Sequence, residues 1–570
     1  MIAGVLLLFA TPLWAWGQTN PIFEDSNILP FAASGSIIIS ANTYTASGIG
    51  NRRAPASLQS TANINFSLFG FRSGLNMLYS TDQSGLRQNL NNLNFNAQWK
   101  WITIQAGDVS PSLSKYGISG TTIRGGHLKI TPGKWHAEFS GGRSKRAVQG
   151  TRSQSGFREA AFKRWAIAGK IGYEGDSDNH FYLSTHYEVD KTESLDNPMG
   201  ITPKENLTLT PDLKLSFFDN KVSLESQVTF SSFTRDLNST KIPLTDTGVP
   251  DFLSNLMQPH LSSRVNYAGQ ATANLRLNSF GVQVGYERIQ PGFISLGTGE
   301  IEDDKQNITI SPSARFFNSK LSVQGNLTLG RDNLLNNRIQ TRRNTGINAN
   351  VQVQATNKIT ISGSYNLLLH SFTANSGALT SPQTAPPDQK QISHTAMLQP
   401  SITFQDGGTT HTISLSASYF TFNLNFDEDG PSVPMGSTSD TYSNSVTYNL
   451  TFSNGLALNS MANVLVNNSS NAESLTLGGN FGGSYTMLER KLSLSLNGGF
   501  NQNRNTTTFS NASNLQMKAQ QFTLNLTGNY RLTSRDTFSI TARSRSNNVV
   551  EGGSSNYSEF EVNFRYQHRF

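Results

Sequence analysis

Long segments in which apolar and small polar residues alternate impose the first constraint on this chain. In QFTLNLTGNYRL (521–532), Phe522, Leu524 and Leu526 alternate with Thr and Asn, and ITISGSYNLLL (359–369) and KLSLSLNGGF (491–500) repeat the pattern. A period of two is typical of a β-strand whose two faces meet different environments. The segments run for about ten to sixteen residues, whereas strands of soluble proteins average five or six and membrane-crossing strands need about nine to eleven.

The connections between these segments alternate between tight turns and long polar loops. Asn454-Gly455 and Asp406-Gly407 are typical two-residue hairpin loops. Ten further tight turns are predicted near Gly70, Lys100, Pro132-Gly133, Asp176, Asp219-Asn220, Asn278-Ser279, Asn318, Asn357, Arg490 and Arg535. Together they predict about 26 strands, within a range of about 22 to 26, with short turns on one side and longer loops on the other. The sequence therefore predicts an all-β fold, a single transmembrane antiparallel β-barrel, because only closure satisfies every backbone group in lipid.

Composition excludes several classes of protein. Charged residues make up 15% of the chain, less than in ordinary soluble domains, while 10% aromatic residues argue against disorder. The net charge of +7 is spread along the chain, so we expect no nucleic-acid partner. The chain contains no cysteine, which excludes disulfides and thiolate metal sites. The nine histidines lack metal-ligand spacing, and we expect no cofactor.

The N-terminal residues resemble a secretory signal peptide. The apolar run from Ile2 to Trp16 is too short for a membrane-spanning helix, and Ala15-Trp16-Gly17 has the form of a signal-peptidase site. We assign residues 1–17 to a signal peptide, 18–34 to a periplasmic leader and 35–570 to the barrel. This predicts an exported protein in the outer membrane of a Gram-negative cell. The expected partners are outer-membrane lipid, lipopolysaccharide and the barrel-assembly machinery, and a periplasmic or surface protein partner stays open.

The last strand, EFEVNFRYQHRF (559–570), carries aromatic residues on one face. Phe564, Tyr566 and Phe570 are predicted to face lipid, and a terminal Phe on such a strand resembles the C-terminal assembly signal of outer-membrane barrels. The opposite parity of the last three strands carries a set of arginines, Arg531, Arg543, Arg545, Arg565 and Arg569. On a pore wall they would favour anions. The alternative is that they pair with acidic residues such as Glu561 and Asp536.

Residues 106–130, AGDVSPSLSKYGISGTTIRGGHLKI, interrupt the alternation. The sequence Gly107-Asp108 ends one strand and Arg124-Gly125 begins the next. This resembles a GD…RG arrangement in pilus-assembly ushers and in large Bacteroidetes-type barrels, of which the gliding/type IX translocon barrel is one. We expect none of the usher's plug or periplasmic domains. Asp108 and Arg124 are predicted to pair inside the lumen and to hold this segment as a constriction; alternatively, the segment only turns the chain.

Three functions are consistent with this sequence. A porin-like outer-membrane transport channel is our first hypothesis. The alternatives are a channel for the export (secretion) or assembly of polysaccharide or protein, acting with periplasmic partners, and a surface adhesin or scaffold with a closed lumen. A barrel of this size is about 50 Å across, so we expect inward-folded loops, with 109–119 and 236–262 as candidates.

An enzyme is not expected. Ser184, His186 and Glu188 lie on one face of a strand, but such neighbours are roughly 7 Å apart and catalytic triads combine separate segments.

Overall fold

The computed structural model describes residues 31–81, 92–153, 156–243, 257–375, 386–426, 436–508, 514–552 and 555–570. The strands found there are β1 (Phe31–Ser47), β2 (Ala56–Leu68), β3 (Phe71–Ser80), β4 (Asn92–Trp99), β5 (Ile102–Val109), β6 (Ile118–Ser119), β7 (Ile123–Ile130), β8 (Trp135–Lys145), β9 (Thr151–Ser153), β10 (Gly156–Arg158), β11 (Lys163–Glu174), β12 (His180–Lys191), β13 (Glu205–Phe217), β14 (Val222–Thr234), β15 (Ser263–Arg276), β16 (Phe280–Ile289), β17 (Gly297–Thr298), β18 (Lys305–Phe316), β19 (Leu321–Asp332), β20 (Gln340–Gln354), β21 (Ile359–Ala374), β22 (Gln389–Asp406), β23 (Thr409–Phe426), β24 (Ser437–Thr451), β25 (Leu456–Ser469), β26 (Ala472–Met487), β27 (Leu492–Thr508), β28 (Asn514–Arg531), β29 (Asp536–Glu551) and β30 (Tyr557–Arg569). A short 3₁₀ helix spans Thr192–Ser194.

Twenty-six of these strands form one closed antiparallel barrel, and the short strands β6, β9, β10 and β17 are not part of its wall. Each barrel strand pairs with the next barrel strand along the chain. The last strand, β30, pairs with β1 from Ser36 opposite Arg569 to Ser47 opposite Ser558. Gly35 and Phe570 extend this closure through backbone hydrogen bonds of 3.0 and 3.2 Å. The prediction of a closed barrel of about 26 strands is confirmed, and closure leaves no edge strand exposed.

Each of the twelve predicted tight turns joins two consecutive barrel strands. Asp219 and Asn220 have φ values of 54° and 64°, and Gly407 and Gly408 have values of 53° and 82°. Asn, Asp and Gly tolerate this left-handed backbone, which explains why these residues occur at the turns. These turns define the short-turn rim of the barrel. The other connections define the long-loop rim, which is the external side in bacterial outer-membrane barrels.

The outer face of the wall is apolar. On β28 the side chains of Phe522, Leu524 and Leu526 are 45%, 50% and 45% exposed, and Thr523 and Asn525 between them lie on the lumen face. A continuous apolar exterior of this kind is favourable in contact with lipid and unfavourable in contact with water. The alternation read from the sequence therefore corresponds to lipid on one face and lumen on the other.

Buried residues are concentrated inside the barrel, against the lumen face of β11–β16. The described residues include no helix that is both long and apolar enough to cross a membrane. The first strand begins at Phe31, inside the range assigned to the leader. The predicted signal peptide, residues 1–17, lies outside the described residues.

Candidate functional site

Two connections of the long-loop rim fold into the lumen. We call residues 110–122, between β5 and β7, and residues 290–304, between β16 and β18, the inner segments. They meet through a short parallel pairing of Ile118 with Gly297 and Ser119 with Thr298. Every other strand pairing in the described barrel is antiparallel, so this contact belongs to the filling of the lumen and not to its wall.

The first inner segment is attached by apolar packing. Leu113 and Ile118 are 2% and 0% exposed and form a cluster with Val109, Ile123 and two alanines of β11. Those alanines, Ala166 and Ala168, occupy lumen-facing positions. Small side chains at these positions leave room for the segment, whereas long polar side chains would fill the same space.

Polar wall residues bind the backbone and the tip of the same segment. Ser184 Oγ donates to the Leu113 carbonyl oxygen at 3.3 Å, and the Lys115 amide donates to Gln227 Oε1 at 2.8 Å. Glu287 of β16 accepts hydrogen bonds from Tyr116 Oη at 2.5 Å and from Lys115 Nζ at 2.9 Å. Burial, reinforced by the hydrogen bond to Glu287, raises the pKa of the Tyr116 hydroxyl above its ordinary value. Tyr116 therefore remains a donor to this carboxylate.

The second inner segment makes a similar set of contacts. Ser231 Oγ donates to the Ile294 carbonyl at 2.6 Å, and the Leu296 amide donates to Asn206 Oδ1 at 3.0 Å. The residue at position 297 must be glycine, because a Cβ there would lie 2.5 Å from His186 Cε1. The lumen-facing side chains of β12–β14 are thus fitted to this segment.

A buried charged group lies on the lumen face of β11 and β12. Arg164 forms a bidentate ion pair with Asp190 at 2.7 and 3.0 Å, and one of its terminal nitrogens lies 3.8 Å from Glu188. His186 Nε2 lies 3.4 Å from Glu188 Oε1, and these two side chains are 1% and 0% exposed. Ser184, which the sequence analysis considered together with His186 and Glu188 as a catalytic set, donates its hydroxyl hydrogen bond to Leu113. Its hydroxyl therefore supports the inner segment.

The end of the second inner segment is tied to β20. Arg342 binds Glu302 through a short ion pair and lies 3.5 Å from Asp332. The hydrogen bond from Arg342 lowers the pKa of the Glu302 carboxyl, and Lys305 contributes to the same shift. Arg338 of the next loop binds Asp304 at 2.6 Å. These ion pairs fix the point at which the segment leaves the lumen and rejoins the wall.

Asp108 and Arg124 lie opposite each other on β5 and β7 and form a bidentate pair, with both nitrogen–oxygen distances 2.7 Å. The sequence prediction placed this pair in the lumen. Its neighbours Val109 and Ile123 point inward, at 2% and 0% exposure, so the alternation directs the pair to the outer face of the wall. Asp108 also accepts a hydrogen bond from the Leu93 amide at 3.0 Å. The pair thus joins strand ends beside the first inner segment, outside the lumen.

The predicted arginine set lies on the lumen parity of β28, β29 and β30, and all five residues are exposed: Arg531, Arg543, Arg545, Arg565 and Arg569. Carboxylates near them bind other residues. Glu561 pairs with Arg53 at 2.8 Å, and Glu559 pairs with Arg52 at 3.5 Å. Asp536, on the outer parity, accepts hydrogen bonds from Tyr566 and His568. In the described part of the chain, Glu561 and Asp536 form their ion pairs with Arg53 and His568 and not with these five arginines, although Glu561 lies opposite Arg543 in the strand register.

We call these five residues the arginine file, because the strand register spreads them along the wall. Arg531 pairs with Thr537 near the short-turn rim, whereas Arg545 pairs with Glu559 toward the long-loop rim. At about 3.3 Å per residue, the file extends for roughly 30 Å along the strands.

The C-terminal residues lie on the outer face at the short-turn rim. Phe564 is 44% exposed, and the ring of Phe570 stacks on His568 with centroids 5.9 Å apart. Tyr566 donates a 2.8 Å hydrogen bond to Asp536. Recognition of these residues by the assembly machinery stays a prediction.

The sequence analysis identified 109–119 as an inward segment but missed 290–304. A signal was present, because Ala268 and Ile289 interrupt the polar parity of β15 and β16 and pack there on Phe293. The other expected segment, 236–262, is described only in part. Its described ends bridge at Lys241 and His260, and the Leu237 amide donates to the neighbouring loop at Pro203. Within the described part of the chain, no group of three or more His, Asp or Glu side chains is arranged to hold a metal ion.

Solved structures that are similar to this chain include outer-membrane β-barrels. OccK8 (OprE) of Pseudomonas aeruginosa is 10% identical, with 71% of this chain and 98% of that chain covered and a TM-score of 0.31. The translocation pore of the P pilus usher PapC is 10% identical, with coverages of 94% and 98% and a TM-score of 0.27. The FrpB iron transporter of Neisseria meningitidis is 11% identical, with coverages of 93% and 81% and a TM-score of 0.37. No protein-family model matches the sequence, and no curated protein matches it significantly.

Proposed function

We propose that this protein is an outer-membrane channel that passes solutes beside the inner segments and favours anions. The arginine file is the observation that carries the proposal. Its members are exposed on the lumen face, and Arg52 and Arg53 add two more cations opposite Glu559 and Glu561. Seven arginines against two glutamates leave a positive wall, which attracts anions into a water-filled path.

The inner segments make the path asymmetric. They cover the lumen face of β11–β16, where wall residues such as Thr210 and Thr229 are fully buried. The arginine file lies about ten strands away around the barrel, where the lumen face is exposed. Two loops of this size do not fill a cylinder about 50 Å across, so they narrow the lumen from one side and leave the cationic wall wet.

Planar-bilayer recordings of the purified full chain in a salt gradient test the proposal. We expect a steady conductance whose reversal potential indicates anion preference. The variant Arg543→Gln/Arg565→Gln should shift that potential toward zero. The matched control is Arg504→Gln/Lys518→Gln, which removes two cations from the outer face that Phe500 and Phe522 share, and it should leave the potential unchanged.

Two results would contradict the proposal. An intact barrel without conductance would favour a closed scaffold whose loops act at the cell surface. A conductance that prefers cations, or one that does not change when the lumen arginines are replaced, would show that the arginine file does not line the permeation path.

A further inference from the structure

A row of polar residues crosses the outer face of six consecutive barrel strands at the long-loop rim. From β16 to β22 the row consists, in strand register, of Arg288, Gln306, Arg331, Arg343, Ser371 and Lys390. Two residues further from the rim, the same register aligns Tyr286, Ile308, Leu329, Thr345, Leu369 and Ile392. A row with four cations therefore lies directly beside an almost entirely apolar row.

Both rows face outward. Tyr286, Ile308 and Leu329 are 43%, 44% and 42% exposed, as expected for side chains that point away from the barrel axis. Residues two positions apart on a strand share a face, so Arg288 and Arg331 lie on the same outer surface. In a membrane, this surface is the boundary between acyl chains and headgroups.

Without a bound anion, the positions of the cations in this row are unfavourable for the stability of the protein. Arg331 and Arg343 lie directly opposite each other on β19 and β20, and like charges in this arrangement repel. The Nε atoms of Arg288 and Arg331 are buried and without a hydrogen-bond partner. Arg288 also donates to Gln306 at 3.1 Å and interacts with the side chains of Tyr286 and Tyr267, and Arg331 donates to Asn336. None of these partners is a carboxylate.

The carboxylates near Arg288, Arg331 and Arg343 do not neutralise these three arginines, because they bind arginines outside the row. Glu302 and Asp332 are bound by Arg342, which follows the lumen parity, and Asp304 is bound by Arg338 at 2.6 Å. An anion from outside the protein would supply the missing counter-charge.

We propose that this cation row binds the phosphate groups of an anionic lipid in the leaflet that surrounds the long-loop rim. Two opposed guanidinium groups offer several N–H donors to one phosphate, in charge-assisted hydrogen bonds that are stronger for an anionic headgroup than for a zwitterionic one with no net charge. The lipid's acyl chains would then lie along the apolar row beside it. This inference requires that the barrel is embedded in a bilayer, and it does not depend on whether the lumen conducts.

Arginine footprinting with phenylglyoxal, mapped by peptide mass spectrometry, tests the site in the full-length barrel. The protein is reconstituted in phosphatidylcholine vesicles that contain either diphosphorylated lipid A or its dephosphorylated counterpart. We expect modification of Arg331 and Arg343 to be about tenfold slower with the phosphorylated lipid, because the guanidinium groups are then occupied. Arg531 and Arg565 in the lumen should react equally in both vesicles.

A binding measurement provides the second arm. In native mass spectrometry, Arg331→Gln/Arg343→Gln should bind less of the phosphorylated lipid than wild type does. Arg331→Lys/Arg343→Lys should keep most of the binding, and Arg531→Gln/Arg565→Gln should behave as wild type. Equal modification rates in the two vesicles would overturn the proposal. So would equal lipid binding by folded Arg331→Gln/Arg343→Gln, or protection by millimolar inorganic phosphate as strong as that by the lipid.

Discussion

Replacing Ile118 with alanine tests whether the first inner segment controls the cross-section of the lumen. The Ile118 side chain is 0% exposed and packs on Val109, Leu113 and Ile123. Substitutions of buried Ile by Ala cost about 2–5 kcal/mol, through lost transfer free energy and the cavity left behind. We take about 3 kcal/mol, because a segment at the lumen can relax into part of the cavity.

The Ile118→Ala substitution should weaken the attachment of the inner segment to the wall and should leave the stability of the barrel itself nearly unchanged. The wall is closed by its own strand pairing from β1 to β30, and the backbone of Ile118 is not paired in that ladder. A change of about 3 kcal/mol multiplies the ratio of detached to packed segment by roughly 150. A detached state present at about 0.1% would rise to about 13%, which is readily observed.

Single-channel recordings measure this population as time spent in a state of larger conductance. Ile118→Ala should visit that state far more often than wild type, with the heat-unfolding temperature of the barrel nearly unchanged. Ile540→Ala is the matched control, since it removes the same atoms from the lipid face, where Ile540 is 48% exposed. If Ile118→Ala has wild-type conductance levels and dwell times, the inner segment does not set the cross-section and the reasoning fails.

Two further predictions concern charges at the inner segments. Arg164→Gln should lower barrel stability by about 3–5 kcal/mol, measured as a lower heat-unfolding temperature, because it leaves Asp190 and Glu188 buried without their cation; Arg531→Gln, at an exposed lumen position, should have little effect. The pKa of Glu302 is lowered by its hydrogen bond from Arg342, so this contact stabilises the attached segment above the ordinary value of 4.5 and is lost as the pH falls through the lowered pKa. Larger-conductance openings should therefore become more frequent as the pH falls below 4.5, and Glu302→Gln should abolish that part of the pH response.

The wall of the barrel was predictable because two local rules act in every hairpin. Alternation separates Phe522 from Thr523 whatever their neighbours are, since successive side chains of a strand point to opposite faces. Turn chemistry marks the ends of strands, and Asp219-Asn220 and Asp406-Gly407 form turns where the sequence predicts them. Neither rule needs information about distant residues.

The filling of the lumen depends on distant residues, and there the sequence was less informative. The contacts of the 290–304 segment reach Asn206 and Ser231, whose contacts with it span 90 and 63 residues of sequence. The sequence prediction assigned Asp108 and Arg124 to the correct strand ends but to the lumen, because it did not apply the strand alternation to these two residues. Val109 and Ile123, the apolar neighbours of the pair, were the residues that identified the inward face.

The adjacent residues Arg342 and Arg343 lie on opposite faces of β20, and together they specify the register of this strand. Arg342 follows the lumen parity and binds Glu302 of an inner segment, whereas Arg343 lies in the outer cation row. A slip of β20 by one residue would exchange the two arginines and would turn Ile347, now 37% exposed on the outer face, toward the lumen. The slip would break the ion pair at Glu302 and, at the same time, expose apolar surface to the water of the lumen. The register of this strand is therefore specified from both faces, and the charges that we assign to function also select the fold that presents them.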